Sequence, residues 1–235
     1  MHCLFTTDGL MNQTSPGAKS RVFIVEDHLI FREQLSQLIN QQTDMVVSGE
    51  ADNIADSIAP LERGGADIVL LDITLKGPGG FDLLKELKTR RIKIPVLILT
   101  MHDELLYAER AVRAGARGYI TKNENSARVL AAIRQVANGQ VYLTKRTASR
   151  ICETLAGRAS EAQGVDKLTD RELEIFGLIG EGRGTREISC RLHLGISTVE
   201  TYRARIKEKL NLDSASQLTH EAIQWRNQVP VENPA

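Results

Sequence analysis

The sequence predicts an α/β domain, built as a (βα)5 doubly wound parallel sheet, followed by an all-α domain of four helices. Short apolar runs alternate with amphipathic stretches five times between residues 21 and 138. Runs that are apolar throughout are typical of strands covered by helices on both faces, as in a parallel sheet. From Leu168 onward the apolar residues recur at helical spacing only.

Each apolar run of the first domain is interpreted as a strand, and each amphipathic stretch as the helix that follows it. In the first helix Ile30, Leu35, Leu38 and Ile39 share one face and are the predicted buried residues. The five strands are predicted at residues 22–25, 45–47, 68–71, 96–99 and 118–120. The five helices are predicted near residues 30–39, 54–61, 81–87, 105–114 and 126–137.

The second domain has the pattern of a helix-turn-helix. Thr169 followed by Glu172 has the spacing of a capping box, so a helix begins there, and Gly182 and Gly184 end it. Ser197 is the predicted cap of the third helix. The helices after the first are predicted at Arg186–Leu192, Ser197–Leu210 and Ala215–Trp225. Two helices joined by a tight turn over an apolar scaffold are the arrangement of this motif.

Five segments follow from these patterns. A chain of 235 residues is long enough for two modest domains. The first residues lack the basic start and apolar stretch of a signal peptide, and Met11 is an alternative start to Met1. We predict a disordered extension at 1–20, an α/β domain at 21–138, a linker with one short helix at 139–165, a helical domain at 166–228 and a tail at 229–235.

Composition excludes several classes of protein. The formal net charge is zero, so overall charge gives no support to nucleic-acid binding, which must rest on local charge. Cys3, Cys152 and Cys190 are scattered and odd in number, which favours reduced thiols in the cytoplasm over a disulfide framework or a zinc site. No apolar run approaches the roughly 20 residues that span a bilayer, so no membrane partner is expected.

Acidic residues stand at the ends of two predicted strands. Glu26 and Asp27 follow the first strand, and Asp72 follows the third. These strands are neighbours in the common flavodoxin-like order, and ligands bind at the carboxyl ends of such sheets. Three converging carboxylates repel one another and need a cation, for which Mg²⁺ is suited. A carboxylate that attacks phosphorus forms an aspartyl-phosphate.

Two further polar residues end the remaining strands of this cluster. Thr100 ends the fourth strand and Lys122 ends the fifth, and both can hold phosphoryl oxygens. Each residue alone has a plainer explanation: Asp27 as a helix cap, Thr100 as a strand former and Lys122 as a solvated charge. The occurrence of suitable residues at four of five strand ends favours a common site.

These motifs resemble those of a CheY-like receiver domain. The resemblance implies that Asp72 is the phosphoacceptor and that Thr100 and Tyr119 form a switch pair, with the ring swinging inward as the hydroxyl engages phosphate. Tyr119 is equally compatible with an ordinary half-buried strand aromatic. The motifs are Val25-Glu26-Asp27-His28, Leu70-Leu71-Asp72, Leu99-Thr100 and Gly118-Tyr119-Ile120-Thr121-Lys122.

The resemblance also implies a metal site and marks one departure. Glu26, Asp27, Asp72 and the backbone carbonyl of Thr74 would surround Mg²⁺ or Mn²⁺. His28 is interpreted as a residue of the helix N-terminus and not as a ligand. The segment Gly77-Pro78-Gly79-Gly80 replaces the single Pro and Gly more usual in the family, which alters the loop and not the chemistry.

The third helix of the second domain carries a cluster of basic residues. Taken alone, Arg203, Arg205, Lys207 and Lys209 favour a solvated charged helix in a chain of zero net charge. Such a helix can also enter the major groove, where its N-terminal residues reach base edges. Val199, Ile206 and Leu210 have the spacing of a buried face.

The second domain resembles the LuxR-type helix-turn-helix, and the whole chain resembles the NarL/FixJ response regulators. The motifs are Leu168-Thr169-Asp170-Arg171-Glu172, Glu187-Ile188-Ser189, Ser197-Thr198-Val199-Glu200-Thr201-Tyr202 and Lys209-Leu210. The resemblance implies that Glu200, Thr201 and Ala204 or Arg205 face bases and that Arg203, Lys207 and Lys209 contact phosphates. With Ser197 and Thr198 they make up the predicted DNA surface. Glu200 departs from the lysine of some members, and a carboxylate can accept a hydrogen bond from cytosine N4.

The implied function is a two-component response regulator rather than a conventional enzyme, although a receiver catalyses its own phosphotransfer and dephosphorylation. The implied partners are a sensor histidine kinase, operator DNA with paired half-sites and a second copy of the chain, with RNA polymerase as a further candidate. We expect the unphosphorylated receiver to mask the Thr198–Lys209 helix. One alternative is a phosphatase, which would need a second acid at position 74, where Thr stands. The other is a constitutive transcription factor with a receiver used only for dimerisation.

Overall fold

The structure is a computed structural model that describes residues 19–75, 79–102, 104–155 and 164–227. Residues 1–18 of the predicted extension, the Gly77-Pro78 pair, part of the predicted linker and the whole predicted tail lie outside the described residues. In the residues described, no helix is both long enough and apolar enough to cross a membrane.

The first part of the chain is a parallel five-stranded sheet with helices on both faces. The strands are β1 (Ser20–Val25), β2 (Met45–Ala51), β3 (Ile68–Leu71), β4 (Val96–Thr100) and β5 (Gly118–Thr121). They lie in the order β2-β1-β3-β4-β5. The intervening helices are α1 (Leu29–Asn40), α2 (Ile54–Glu62), α3 (Gly80–Thr89), α4 (Glu104–Ala114) and α5 (Ser126–Ala137). The predicted fold class and strand order are therefore confirmed.

The apolar strands supply both faces of the core. Val22 and Ile24 of β1 pack on one face with Ile39 of α1 and Ile133 of α5. Phe23 and Val25, which point the other way, belong to the cluster that includes the buried residues of α2, α3 and α4. Because these strands are parallel, the carboxyl ends of β1, β3, β4 and β5 lie along one edge of the sheet, where the predicted polar residues begin.

The second part is helical. A helix α6 (Lys145–Leu155) follows the sheet, and a 3₁₀ turn (Val165–Lys167) leads into four helices. These are α7 (Asp170–Gly180), α8 (Thr185–Leu192), α9 (Ile196–Leu210) and α10 (Ala215–Asn227). The predicted capping box is present, since Glu172 N donates to Thr169 Oγ1 and Thr169 N donates to Glu172 Oε2. Phe176 of α7 is fully buried and lies 5.5 Å from Trp225 of α10, ring centroid to ring centroid.

Three local predictions were wrong, and one interpretation was confirmed. Ile30 is 61% exposed, because the buried face of α1 is formed by Leu35, Ser36 and Ile39 instead. The cap of α9 is Gly195, so Ser197 lies inside the helix. The strand β1 begins at Ser20, inside the predicted extension. The interpretation of His28 is confirmed, because it is the N-terminal cap of α1 and its Nδ1 accepts from Phe31 N. The alternative explanation of Asp27 as that cap does not hold.

Candidate functional site

A cleft of about 510 Å³ opens at the carboxyl ends of the strands, and the predicted acidic cluster lines it. Glu26 and Asp27 follow β1, and Asp72 and Thr74 follow β3. Lys122 reaches the same cleft from the end of β5. The parallel sheet thus brings together side chains that are up to 96 positions apart in the sequence.

Lys122 is the central charge of this cleft. Its Nζ lies 2.6 Å from Glu26 Oε2 and 2.7 Å from Asp72 Oδ2, and all three side chains are buried. Burial raises the pKa of Glu26, and the charge of Asp72 raises it further, against the opposing effect of Lys122. Burial acts to lower the pKa of Lys122, but the carboxylates of Asp72 and Glu26 outweigh it and raise that pKa. One ammonium therefore compensates two buried carboxylates.

Backbone contacts fix the carboxylate of Asp72. Thr74 N donates to Asp72 Oδ1 at 3.0 Å, and Asp72 N donates to Val25 O on the neighbouring strand at 3.0 Å. Gly80, at the start of α3, packs directly on this segment, and a Cβ there would clash with the carbonyl oxygen of Asp72. The predicted departure in this loop thus includes a glycine that the close approach of α3 requires.

Thr100 and Tyr119 lie beside the cleft in different states. Thr100 is completely buried, and its Oγ1 has no hydrogen-bond partner within the described residues. A buried hydroxyl without a partner is uncommon in folded proteins. The Tyr119 ring is only 1% exposed, and its hydroxyl donates to the carbonyl oxygen of His102 at 3.2 Å. The ring is therefore already inward in this structure. The inward movement implied by the resemblance would start from a different conformation.

The donor set of the cleft fits a hard divalent cation. Glu26, Asp27 and Asp72 supply three carboxylates against the single ammonium of Lys122, and their oxygens are the ligands that Mg²⁺ prefers. As the side chains stand, no three His, Cys, Asp or Glu residues of the described segments are arranged to hold a metal ion. Glu26 and Asp72 are instead drawn to Lys122, so an ion would have to compete with this ammonium.

Sequence reasoning expected the two parts of the chain to pack together in the unphosphorylated state, but it placed the contact at α9 and not where the structure has it. The 3₁₀ turn and α7 of the helical part meet α3 and α4 of the α/β part, close to the cleft. Tyr107 and Arg110 of α4 donate to the carbonyl oxygens of Leu173 and Leu168, at 3.4 and 2.8 Å. Lys85 of α3 donates to Asp170 Oδ2 at 2.9 Å. These residues occupy ordinary helix positions, so no local pattern in the sequence marks them.

The outward face of α9 carries the predicted DNA surface. The structure leaves its first two turns exposed, and Ile196 is 50% exposed. Val199 and Ile206 are buried as predicted. The prediction that the α/β domain masks this helix was wrong for this structure. The α/β part faces the start of α7 and the end of α8, and the first turns of α9 are left exposed. The residues of the predicted surface that are exposed are Ser197, Thr198, Glu200, Thr201, Ala204 and Arg205.

The remaining residues of the predicted DNA surface are less exposed. Arg203 and Lys207 are partly buried along α9. Lys209 Nζ lies 2.6 Å from Glu172 Oε2, a carboxylate that is itself buried. Burial acts to raise the pKa of Glu172, but hydrogen bonds from Lys209 and Thr169 outweigh it and lower that pKa. Lys209 thus has an internal partner, and its contact with DNA stays a prediction.

The carboxylate of Glu200 is positioned by residues of two helices. Thr185 Oγ1, at the start of α8, donates to Glu200 Oε1 at 2.7 Å. On the other side, Arg203 Nε is 4.0 Å from Glu200 Oε2. Both contacts hold the acid on the exposed face, where a base edge would lie if α9 entered the major groove.

Comparison with protein families assigns both parts of the chain. The response regulator receiver domain matches residues 22–134, and the luxR family of bacterial regulatory proteins matches residues 166–222. The DNA-binding transcriptional activator DevR/DosR of Mycobacterium tuberculosis is 30% identical over 89% of this chain and 97% of its own length. Response regulator UvrY of Escherichia coli K12 is 30% identical over 86% of this chain and 93% of its own.

Solved structures have the same architecture. A LuxR-family two-component response regulator from Aurantimonas sp. SI85-9A1 is 31% identical and covers 59% of this chain and 99% of its own, with a TM-score of 0.54. RcsB of Salmonella typhimurium, at 20% identity, covers 88% of this chain and 98% of its own with a TM-score of 0.60, which bears on the fold alone. The family consists of DNA-binding transcriptional regulators rather than conventional enzymes. The chain belongs to the response regulators that join a receiver domain to a LuxR-type helix-turn-helix domain.

Proposed function

We propose that a sensor histidine kinase phosphorylates Asp72 and that this modification controls sequence-specific DNA binding by α9, and with it transcription. The observation that carries the proposal is the meeting of Asp72 and Lys122 at 2.7 Å in an open cleft, beside the unpartnered hydroxyl of Thr100. A nucleophile, a cation and a hydroxyl for phosphoryl oxygens are the parts that such a transfer requires.

The reaction is a displacement at phosphorus. An oxygen of Asp72 forms the new P–O bond as the P–N bond of a phosphohistidine breaks, and the imidazole nitrogen keeps the electron pair. Thr74 N holds the Asp72 carboxylate in place, and Lys122 and Thr100 bind the phosphoryl oxygens. A divalent ion held by Glu26, Asp27, Asp72 and the Thr74 carbonyl would neutralise charge on those oxygens. We propose Mg²⁺ for this position, with Mn²⁺ as a substitute.

The receiver and the DNA-binding domain have separate proposed roles, phosphorylation and DNA recognition. We propose a receiver that begins with β1 at Ser20 and ends at residue 138, a linker at 139–165 and a DNA-binding domain at 166–228. The family matches at 22–134 and 166–222 support this division. Glu200, Thr201 and Arg205 would read bases, and partly buried Arg203 and Lys207 would contact phosphates, with Lys209 beside them. Each α9 reads a short half-site, so we expect two copies of the chain on paired half-sites. We place the protein in the cytoplasm, with RNA polymerase as a further candidate partner.

Both alternative functions are less well supported. Position 74 carries Thr, whose side chain is bonded to His102, and this leaves the phosphatase without its second acid. A receiver used only for dimerisation would have no need for buried charges at Glu26, Asp72 and Lys122, which are costly unless they serve chemistry.

Footprinting on operator DNA with and without a small-molecule phosphodonor tests the proposal. The operator would first be obtained by selection from random duplexes. The donor should tighten binding by the parent protein and leave Asp72→Asn unchanged. Asp67→Asn is the matched control, because Asp67 precedes the same strand but pairs with Arg21 outside the cleft. Equal stimulation of Asp72→Asn and the parent protein would refute the proposal.

A further inference from the structure

His102 lies at the junction between the receiver and the DNA-binding domain. It stands between the end of β4 and the start of α4. Its Nε2 is 2.9 Å from Thr74 Oγ1 in the receiver and 3.8 Å from Glu174 Oε1 in α7. The imidazole of His102 thus lies between the loop that follows Asp72 and α7, the first helix of the DNA-binding domain.

On the receiver side, His102 contacts two of the groups expected to respond to phosphorylation and is close in sequence to a third. Thr74, its side-chain partner, also donates its backbone N–H to Asp72. Tyr119 donates to the carbonyl oxygen of His102. Thr100, with its unpartnered hydroxyl, precedes His102 by two residues. A shift of Thr74 or Tyr119 toward Asp72 would therefore change a contact of His102.

On the side of the DNA-binding domain, Glu174 is incompletely hydrogen-bonded, which weakens the contact between His102 and α7. It is 7% exposed, and Arg171 binds its Oε2, but its Oε1 has no hydrogen-bond partner within the described residues. A buried carboxylate oxygen without a hydrogen bond costs free energy. The docked arrangement therefore leaves Glu174 Oε1 without a hydrogen bond, and this oxygen can bind water when the domains separate. Tyr107 borders the same contact, with its ring 4.6 Å from that of His102.

We propose that His102 is a positioning residue that couples the state of Asp72 to the docking of the DNA-binding domain. The inference rests on the proposed function of Asp72. When Thr100 and Thr74 turn toward a phosphoryl group, His102 leaves Glu174, and α7 separates from α4. Arg191 and His193 at the end of α8 line the acceptor cleft together with Asp72, so the same movement also uncovers that cleft.

Energy transfer between two dyes on the full chain tests this coupling. Exposed Cys190 in α8 carries one dye, and Lys88→Cys, exposed on α3, carries the other, with Cys3 and Cys152 replaced by Ser. Beryllofluoride with Mg²⁺ serves as the phosphoryl probe. Its occupancy is followed separately by ¹⁹F NMR, with Asp72→Asn as the control for binding at the acceptor.

His102→Ala should bind beryllofluoride as the parent protein does. Its docked-to-open ratio without the probe should fall by less than about fivefold, because the 3.8 Å contact between His102 and Glu174 is weaker than a hydrogen bond. The probe should then change the energy transfer little. His102→Gln, whose amide nitrogen can replace Nε2, should restore the response. Lys85→Ala is the matched control, because it removes the exposed ion pair with Asp170 and leaves the response to the probe intact.

The outcomes separate the two proposals. If the parent protein and His102→Ala both bind the probe and respond with equal amplitude, the coupling through His102 is overturned and the proposed function stands. If the probe does not bind the parent protein at Asp72, the proposed function fails and this inference fails with it.

Discussion

The cleft around Asp72 and the predicted DNA surface of α9 differ in how far their charged side chains are exposed to solvent. In the cleft, Lys122 is 9% exposed, and its two carboxylate partners are less exposed still. On α9 the predicted base-reading residues are open to solvent. The charged side chains of the cleft are therefore held by internal ion pairs, whereas most of those predicted to read bases on α9 are open to solvent. Substitutions in the first region should change folding, and those in the second should change binding.

Lys122→Met should have the largest effect. It leaves Glu26 and Asp72 buried without their cation, and breaking a buried ion pair from one side costs about 3–5 kcal/mol of unfolding free energy. Hydrogen exchange of the β1 and β3 amides, measured in EDTA, reports this loss. Added Mg²⁺ should restore part of it, because the ion supplies the missing positive charge. Lys88→Met, exposed on α3, is the control; equal stability of both variants would contradict a preorganised cleft.

Lys209→Met should have an intermediate effect and separates structure from recognition within α9. Its salt bridge with buried Glu172 is partly exposed, so we expect a loss of about 1–2 kcal/mol at neutral pH. Trp225 is the single tryptophan and lies in the helical domain, so its fluorescence during urea unfolding measures this stability. Lys207→Met, on the same helix, should keep the stability and instead reduce the salt dependence of DNA binding.

The same salt bridge has a defined pH dependence. The pKa of Glu172 is lower in the folded state than in the unfolded state, so the stability from its charge is present above the unfolded pKa. That stability is lost as the pH falls through the folded pKa. The difference between the parent protein and Lys209→Met should therefore shrink under acid conditions. A difference that grows as the pH falls would show that Glu172 is not the partner.

Glu200→Ala should change which operator is preferred more than how tightly operators bind. The carboxylate can accept from cytosine N4 but is repelled by phosphates, so its removal should reduce discrimination by about 1 kcal/mol, roughly fivefold. Binding to a panel of single-base operator variants measures this. Thr185→Val, which frees the same carboxylate from α8, should move the preferences in the same direction. Unchanged relative preferences in Glu200→Ala would remove this residue from base recognition.

Thr100→Val should have the smallest effect on stability. The hydroxyl is buried without a partner, so its replacement by a methyl group should leave the unfolding free energy within about 1 kcal/mol of the parent value or raise it slightly. Donor-stimulated DNA binding should nevertheless fall, because the group awaiting the phosphoryl oxygen is gone. Destabilisation well beyond this range would show that Thr100 already has a partner in the folded protein.

The sequence was sufficient for the sheet and for the cleft. Continuous apolar runs identify buried strands, and parallel connections place their ends at one edge, so the approach of Glu26, Asp72 and Lys122 follows from topology. Side-chain details were harder, because Gly195 caps α9 without a side-chain hydrogen bond. Ile30 has helical spacing but lies beyond the edge of the core.

The contact between the domains could not be predicted from local patterns. The contacts of His102, Tyr107 and Glu174 depend on how the two parts of the chain meet, and neither periodicity nor motif spacing carries that information. Lys209 shows the same limit within one domain. Its basic character suggests DNA, whereas its position opposite the capping-box acid Glu172 gives it an internal partner.

A crystal structure of the full chain with Mg²⁺ and beryllofluoride tests the central claim most directly. The account predicts beryllium on a carboxylate oxygen of Asp72, with fluorine atoms contacted by Lys122 Nζ and Thr100 Oγ1. It predicts Mg²⁺ beside Glu26, Asp27 and the Thr74 carbonyl. A complex in which the probe sits elsewhere, with Lys122 still closed on Asp72, would contradict it.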